Sequence, residues 1–318
     1  MSGNFGVAKD SRIFVAGSKT LIGKSLIFEL RSRGYQNLTP SHEEPDLTNQ
    51  LEVERFFIDF KPEYVFLAGG KSGGIQMNQE FPADLIRENL LVETHVIHEA
   101  YRNKVKKLLY LASSCCYPKF CGQPMQVEAL FTGKLEPTNE AYAAAKLAGI
   151  VLCQSYRFQH KVDFITVIPA NPFGPGDDFK PKNSHVIPSL LRKMHEAKNR
   201  KESFLEIWGT GAPIRDFIFS RDLADACLFL MEQYDEEKPI NVGSGTGCSI
   251  SELSHLIKEV VGYPGELFFN PEKPDGMPIK VLDSSQILKL GWKPKTSLEQ
   301  GIKATYEWFW EEMYAAKK

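Results

Sequence analysis

The chain has 318 residues, 42% of them hydrophobic and 25% charged, with a formal net charge of -2. That length allows one large domain or two modest ones and buries enough surface to form a core without disulfide or metal staples. The near-neutral charge leaves no electrostatic footprint for nucleic acid or an anionic membrane, and the composition excludes collagen, coiled coil and wholesale disorder.

Met1 to Asp10 lacks the apolar run of a secretory signal, and no stretch approaches the ~18 apolar residues of a spanning helix. Six cysteines at irregular spacings are too sparse for a disulfide framework and fit a reducing compartment, so a cytoplasmic location is expected.

Arg12 to Ala16 reads as a strand that ends in Gly17. A helix follows over Leu21 to Arg33, with Leu26, Ile27 and Leu30 on one face and Gly34 as its stop. A second strand is expected to end at Thr39, Pro40, Ser41 and His42. Leu51 to Phe60 is helical, Tyr64 to Ala68 is an apolar strand, and Gly69 and Gly70 break it. A long helix over Ala83 to Tyr101 precedes the strand Lys107 to Ala112. Another, Glu140 to Phe158, precedes the strand Phe164 to Ile168. Short apolar strands alternating with amphipathic helices predict an α/β fold, a Rossmann-type doubly wound parallel sheet covered on both faces.

Past Pro169 the texture changes, with Pro172, Gly174, Pro175, Gly176 and Pro181 crowding an irregular loop. A helix over Val186 to Lys198 and a strand over Phe204 to Trp208 follow. The expected division is a dinucleotide-binding domain over 11–170, to which later segments return, and a smaller substrate-binding domain over 171–318.

Gly17, Ser18, Lys19, Thr20, Leu21, Ile22 and Gly23 form the turn between first strand and first helix. A helix N-terminus presents unpaired N–H groups and partial positive charge, which suits a pyrophosphate. No Asp or Glu ends the second strand, where NAD would want a carboxylate for its ribose hydroxyls. Lys19 offers a cation to a 2′-phosphate instead, so NADP(H) is the expected cofactor.

Tyr142 and Lys146 stand four apart on a predicted helix and share a face. Ser113 and Cys115 end the preceding strand two apart, on one face if the chain stays extended. An ammonium near a phenol favours phenolate, and a phenol so tuned can exchange a proton with a carbonyl oxygen while hydride moves at carbon. Cys116 reads as a small buried hydrophobe. Cys116 and Cys121 have no matching Cys/His cluster, so no metal is expected. His95 and His98, three apart on a helix, read as packing or solvated residues.

These features together resemble the extended short-chain dehydrogenase/reductases and, within them, the GDP-L-fucose synthase family. The resemblance runs from Arg12 to Trp310. It is carried by Gly73-Gly74-Ile75, Ser113-Ser114-Cys115-Cys116-Tyr117-Pro118, and Leu135-Glu136-Pro137-Thr138-Asn139 leading into Tyr142 and Lys146. Downstream it rests on Asn183-Ser184-His185-Val186-Ile187-Pro188, Trp208-Gly209-Thr210-Gly211, Arg215 and Pro274-Asp275-Gly276.

The resemblance implies that Ser113, Tyr142 and Lys146 reduce a ketone at carbon 4 of a GDP-sugar, while Cys115 and His185 move protons at carbons 3 and 5. It also implies cofactor contacts from the glycine turn, Ser41, His42, Lys146, Pro169, Ala170, Asn171 and His185. Substrate contacts follow from Asn171, Lys193, Trp208, Arg215 and Asp275, with Lys193 and Arg215 on the diphosphate. A homodimer is implied, in which the helices 83–101 and 140–158 pair with their copies as a four-helix bundle. Leu147, Val151 and Phe158 recur there at helical spacing. A reductase acting on another GDP-4-keto-deoxy sugar, such as a heptose, would keep the fold and leave Cys115 and His185 idle.

The chain departs from the family pattern at several positions. Thr20 replaces a glycine, Gly69 and Gly70 replace alanines, and Ala170 replaces a threonine. Lys180 replaces a histidine, Ile279 an arginine, and Pro40 and His42 stand where arginines are usual.

Overall fold

The computed structural model describes residues 7–39, 44–181 and 184–313. The first half runs β1 (Ile13–Ala16), α1 (Leu21–Ser32), α2 (Gln50–Phe60), β2 (Tyr64–Leu67), α3 (Ile75–Glu80), α4 (Pro82–Arg102), β3 (Lys107–Leu111), α5 (Glu140–His160) and β4 (Phe164–Pro169). It continues through β5 (Asn171–Phe173), α6 (Val186–Arg200), β6 (Phe204–Trp208), β7 (Ile214–Phe219), α7 (Ser220–Gln233) and β8 (Ile240–Val242). The tail holds β9 (Gly247–Ser249), α8 (Ile250–Val261), β10 (Glu266–Asn270), β11 (Ile279–Lys280), α9 (Ser285–Lys289) and α10 (Leu298–Met313).

Five strands form one sheet in the order β1-β2-β3-β4-β8, every neighbouring pair parallel. All residues of these strands are buried. Their runs are therefore mainly apolar instead of alternating, with Lys107, Thr166 and Asn241 as buried polar exceptions, as fits a sheet covered on both faces. The helices pack in two groups, α1 with α7, and α4 with α2 and α5. A second apolar core gathers Phe173, Ile187, Leu191, Ile207, Leu253 and Phe309. It lies among α6, α8, α10 and the small sheets β6–β10 and β11-β7-β5, with β9 antiparallel to β7. β8 and α7 rejoin the large sheet from beyond residue 170.

Among the described residues the expected second strand is reduced to a single bridge, and Pro40, Ser41 and His42 lie outside them. Leu38 makes one parallel bridge to Ile13, on the edge of β1 away from β2. In the sequence a proline follows Thr39, and proline lacks an N–H for a ladder and restricts the residue before it. The chain thus leaves β1 toward one side and crosses to β2 on the other. Such a reversal opens a crevice at the carboxyl ends of the strands, where open α/β sheets bind ligands.

Candidate active site

The strand ends open onto one cavity of about 1100 Å³. At the turn after β1, Gly17 has a φ of +92°, and a Cβ on it would lie 2.4 Å from the Gly69 backbone. One on Gly23 would lie 2.0 Å from the Gly17 carbonyl oxygen. Backbone meets backbone at both points, and only glycine leaves room. Lys19, Thr20, Leu21 and Ile22 line the cavity, while Gly17, Ser18 and Gly23 stand behind them and shape the turn.

Thr20 needs no glycine, because its φ of -71° and ψ of 165° are ordinary extended backbone. Its hydroxyl caps α1, accepting from the Gly23 N–H at 3.0 Å and donating to the Gly17 carbonyl at 2.8 Å. With the Gly23 N–H taken by Thr20, the Leu21 and Ile22 N–H groups remain at the start of α1, a helix N-terminus of the kind that suits a pyrophosphate. The residues present fit a dinucleotide cofactor. Glu44 was not foreseen. Its carboxylate accepts from the Gly17 N–H, from the Ser18 N–H at 3.1 Å and from the Ser18 hydroxyl at 2.6 Å. Those donors, expected to face the cofactor, are directed at Glu44. Ser41 and His42 lie outside the described residues.

β3 delivers Ser113 in extended conformation, and the chain then tightens into a 3-10 turn over Ser114–Cys116. Ser113 and Cys115 thus share the cavity through this turn and not through strand alternation. The Ser113 oxygen accepts from the Cys115 N–H at 3.2 Å. Cys116 points into the core, where burial pushes its thiol up to about 12.

Tyr142 and Lys146 line the cavity from one face of α5. The expected lowering of the Tyr142 phenol is not found. Burial pushes it up, the Cys115 sulfur adds to this, and a hydrogen bond with Ser113 opposes both. The Lys146 ammonium, expected to lower it, sits 3.1 Å from the Glu93 carboxylate and 3.4 Å from the Leu111 carbonyl oxygen. Its charge is already compensated.

Cys115 accepts from the Lys280 ammonium at 3.3 Å and from the Asn139 amide at 3.2 Å. Lys280, buried on β11, was not foreseen either; its one signal is its place just after Pro274-Asp275-Gly276. His185 caps the start of α6 and opens into the cavity. Its side chain is exposed at the cavity; desolvation by the protein around it lowers its pKa, the Lys280 ammonium lowers it further, and Asp178 works the other way.

Farther out, Lys193 lies 5.6 Å from the centre of the Trp208 ring, and Lys273 approaches the same ring at 5.5 Å. Arg192, its neighbour, is tied to Glu196 at 3.1 Å. Burial lowers the pKa of both Lys193 and Arg215, so each cation lacks hydration that an anion could replace. Pro169, Ala170 and Asn171 line the wall nearby. Asp275 also lines it, but its carboxylate accepts from the Thr210 N–H and hydroxyl, both at 2.8 Å, which occupies both oxygens in holding a turn. Lys180 is exposed and Ile279 sits on β11; the cavity wall includes neither.

One chemical consequence is direct. Cys121 and Cys248 are half-buried like Cys115, yet burial raises both their thiols. Cys115, with two N–H donors on its sulfur, is expected to react with iodoacetamide on the order of ten times faster than either at pH 7.5. Peptide mapping by mass spectrometry reads the order, and labelling of Cys121 or Cys248 ahead of Cys115 would refute it.

Comparison with known proteins agrees with this geometry. The model of the NAD dependent epimerase/dehydratase family matches residues 13–243. GDP-L-fucose synthase 1 of Arabidopsis thaliana is 51% identical over 95% of this chain and 94% of its own length. Among solved structures, a GDP-6-OMe-4-keto-L-xylo-heptose reductase from C. jejuni superposes with a TM-score of 0.92 at 36% identity, covering 98% of this chain and 100% of that one. A GDP-L-fucose synthetase from Naegleria fowleri bound to NADP has a TM-score of 0.88 at 28% identity, covering 98% and 96%. The chain belongs to the NAD dependent epimerase/dehydratase family and, within it, to the GDP-L-fucose synthases.

Proposed function

We propose that the protein converts GDP-4-keto-6-deoxy-mannose to GDP-L-fucose, inverting carbons 3 and 5 and reducing carbon 4 with NADPH. One observation carries this reading: Cys115 and His185 wall the same cavity as Ser113, Tyr142 and Lys146. A proton-moving pair and a ketone-reducing trio thus reach one sugar ring. The carbon-4 ketone acidifies its neighbours at carbons 3 and 5, and inversion needs a base on one face and an acid on the other.

Cys115 takes the proton, its sulfur held as an acceptor by Lys280 and Asn139. His185 returns one to the opposite face. Ser113 and Tyr142 hydrogen-bond the ketone oxygen through both steps, and Tyr142 donates its proton as the carbon-4 alcohol forms. NADPH, when bound, would supply the hydride. Lys19, Thr20, Leu21 and Ile22 would hold its diphosphate, and Lys146, Pro169, Ala170, Asn171 and His185 its nicotinamide end. Lys193 and Arg215 take the diphosphate of the substrate, and Trp208 flanks its guanosine. The sheet domain serves the cofactor and the lobe around the second core serves the sugar nucleotide. Idle roles for Cys115 and His185, as in a plain heptose reductase, would leave the donors on the Cys115 sulfur without a purpose.

The test is incubation with GDP-4-keto-6-deoxy-mannose and NADPH, the product read by NMR. GDP-L-fucose is expected; an un-inverted alcohol would favour the reductase-only reading. Tyr142→Phe is expected to lose ~10²–10⁴-fold in NADPH oxidation with cofactor binding retained. Near-normal oxidation would remove Tyr142 from the role of acid.

The working form we propose is a homodimer in a reducing cytoplasm, joined through α4 and α5 as a four-helix bundle. An apolar groove on the outer face of α5, lined by Phe131, Leu147, Val151 and Leu152, supports this. Phe131 is 61% and Phe158 74% exposed, an unusual cost for an isolated surface. Light scattering at micromolar concentration should give twice the chain mass, and a monomer would refute the bundle.

A further inference from the structure

α4 covers the sheet, so a carboxylate on its inner face is out of place. Glu93 nonetheless points inward there, 1% exposed. Two donors converge on its Oε1: the Lys146 ammonium at 3.1 Å and the Tyr110 hydroxyl of β3 at 2.7 Å. The Tyr110 hydroxyl also reaches the Lys146 carbonyl oxygen, at 3.2 Å. Glu93 Oε2 has no partner among the described residues. The helices approach closely enough to seat this group only because residue 149 is glycine. A Cβ there would fall 2.4 Å from the Tyr110 hydroxyl oxygen and 2.8 Å from Glu93 Oε2.

We propose that Glu93 is a positioning residue for the reduction, a buried counter-charge that orients Lys146 and keeps Tyr142 protonated so that it can act as an acid. The inference rests on the reading of Tyr142 and Lys146 given above. An enzyme that oxidises alcohols gains from a bare ammonium, which favours phenolate. One that reduces a ketone needs the phenol to hold its proton at working pH. Pairing Lys146 with a carboxylate leaves the couple without net charge, and the negative member raises the pKa of acids around it.

The arrangement fits this role from every side. Burial pushes the Glu93 carboxyl up, while the Lys146 ammonium and Tyr110 hydroxyl pull it down. Two donors on one oxygen are what an ionised carboxylate accepts. Glu93 also contributes to the raised phenol of Tyr142. The other titratable groups facing Glu93 are Tyr110 on β3, Cys116 in the 3-10 turn and Cys153 on α5; burial holds all three neutral.

The test is the pH dependence of kcat for NADPH-driven reduction. In the parent the alkaline limb reports the first proton lost from the Lys146–Tyr142 pair. Glu93→Gln keeps the shape and removes the charge. Whichever of the two then ionises first does so more readily, so the limb should move down by ~1 pH unit or more. Glu93→Asp keeps the charge farther from Lys146, so its limb should move the same way by a smaller amount, and it carries the test alone if Glu93→Gln does not fold. NADPH binding should stay within about three-fold of the parent in each variant. A limb at the parent position in the folded variants would overturn the inference while leaving the catalytic reading intact. A parent without turnover would overturn that reading, and the inference with it.

Discussion

Parallel pairing is the constraint on which the rest depends. Because β1, β2, β3, β4 and β8 all run the same way, their carboxyl ends share one rim. The glycine turn follows β1, Gly69 and Gly70 follow β2, Ser113 and Cys115 follow β3, and Pro169 to Asn171 close β4. None of these segments is near another in sequence. Hydrogen-bonded register brings them together, and α5, starting at the same rim, adds Tyr142 and Lys146 within its first two turns. The second core then sets α6 and β7 across from the rim, which brings His185, Lys193 and Arg215 to the cavity.

Within that geometry the charges are sorted by what neutralises them. Lys146 is matched by Glu93, a protein group, and is held in place whatever else binds. Lys280 is directed at the Cys115 sulfur and its charge lowers the pKa of His185, so one cation acts on both side chains. Lys193 and Arg215 are desolvated instead, and a diphosphate would complete them. Asp275 shows the reverse case: it lines the wall, yet its carboxylate is engaged by Thr210 and serves the turn that carries Trp208 into place.

The central layers were legible from the residues because a strand buried on both faces is a continuous apolar run with glycine at its end. Tyr64 to Leu67 is such a run; Leu108 to Leu111 is another, though Ala112 and Ser113 follow it instead of glycine, and long amphipathic helices flank both. Short strands escaped notice. β5 is three residues with a proline, β9 carries glycine and serine, and neither has enough residues to show a period. The cavity residues with local motifs, Ser113, Cys115, Tyr142, Lys146 and His185, were visible. Their partners were not. Glu93, Lys280 and Glu44 act across 53, 165 and 26 residues of sequence respectively, and nothing in a single chain marks a charge that pairs at such a distance. Thr20 and the 3-10 turn at Ser114–Cys116 reached the expected outcome by another route, through capping and local turning.

The account stands on Cys115 and His185 sharing one ketone with Tyr142, and solvent isotope exchange reads this most directly. The protein is incubated with GDP-4-keto-6-deoxy-mannose and NADPH in deuterated water, and the product is examined by NMR. The account requires deuterium at carbons 3 and 5 and protium at carbon 4, with Cys115→Ser and His185→Gln each slowing the exchange. A product that carries no solvent deuterium at either carbon would contradict it, and would leave the two side chains as structural parts of the wall.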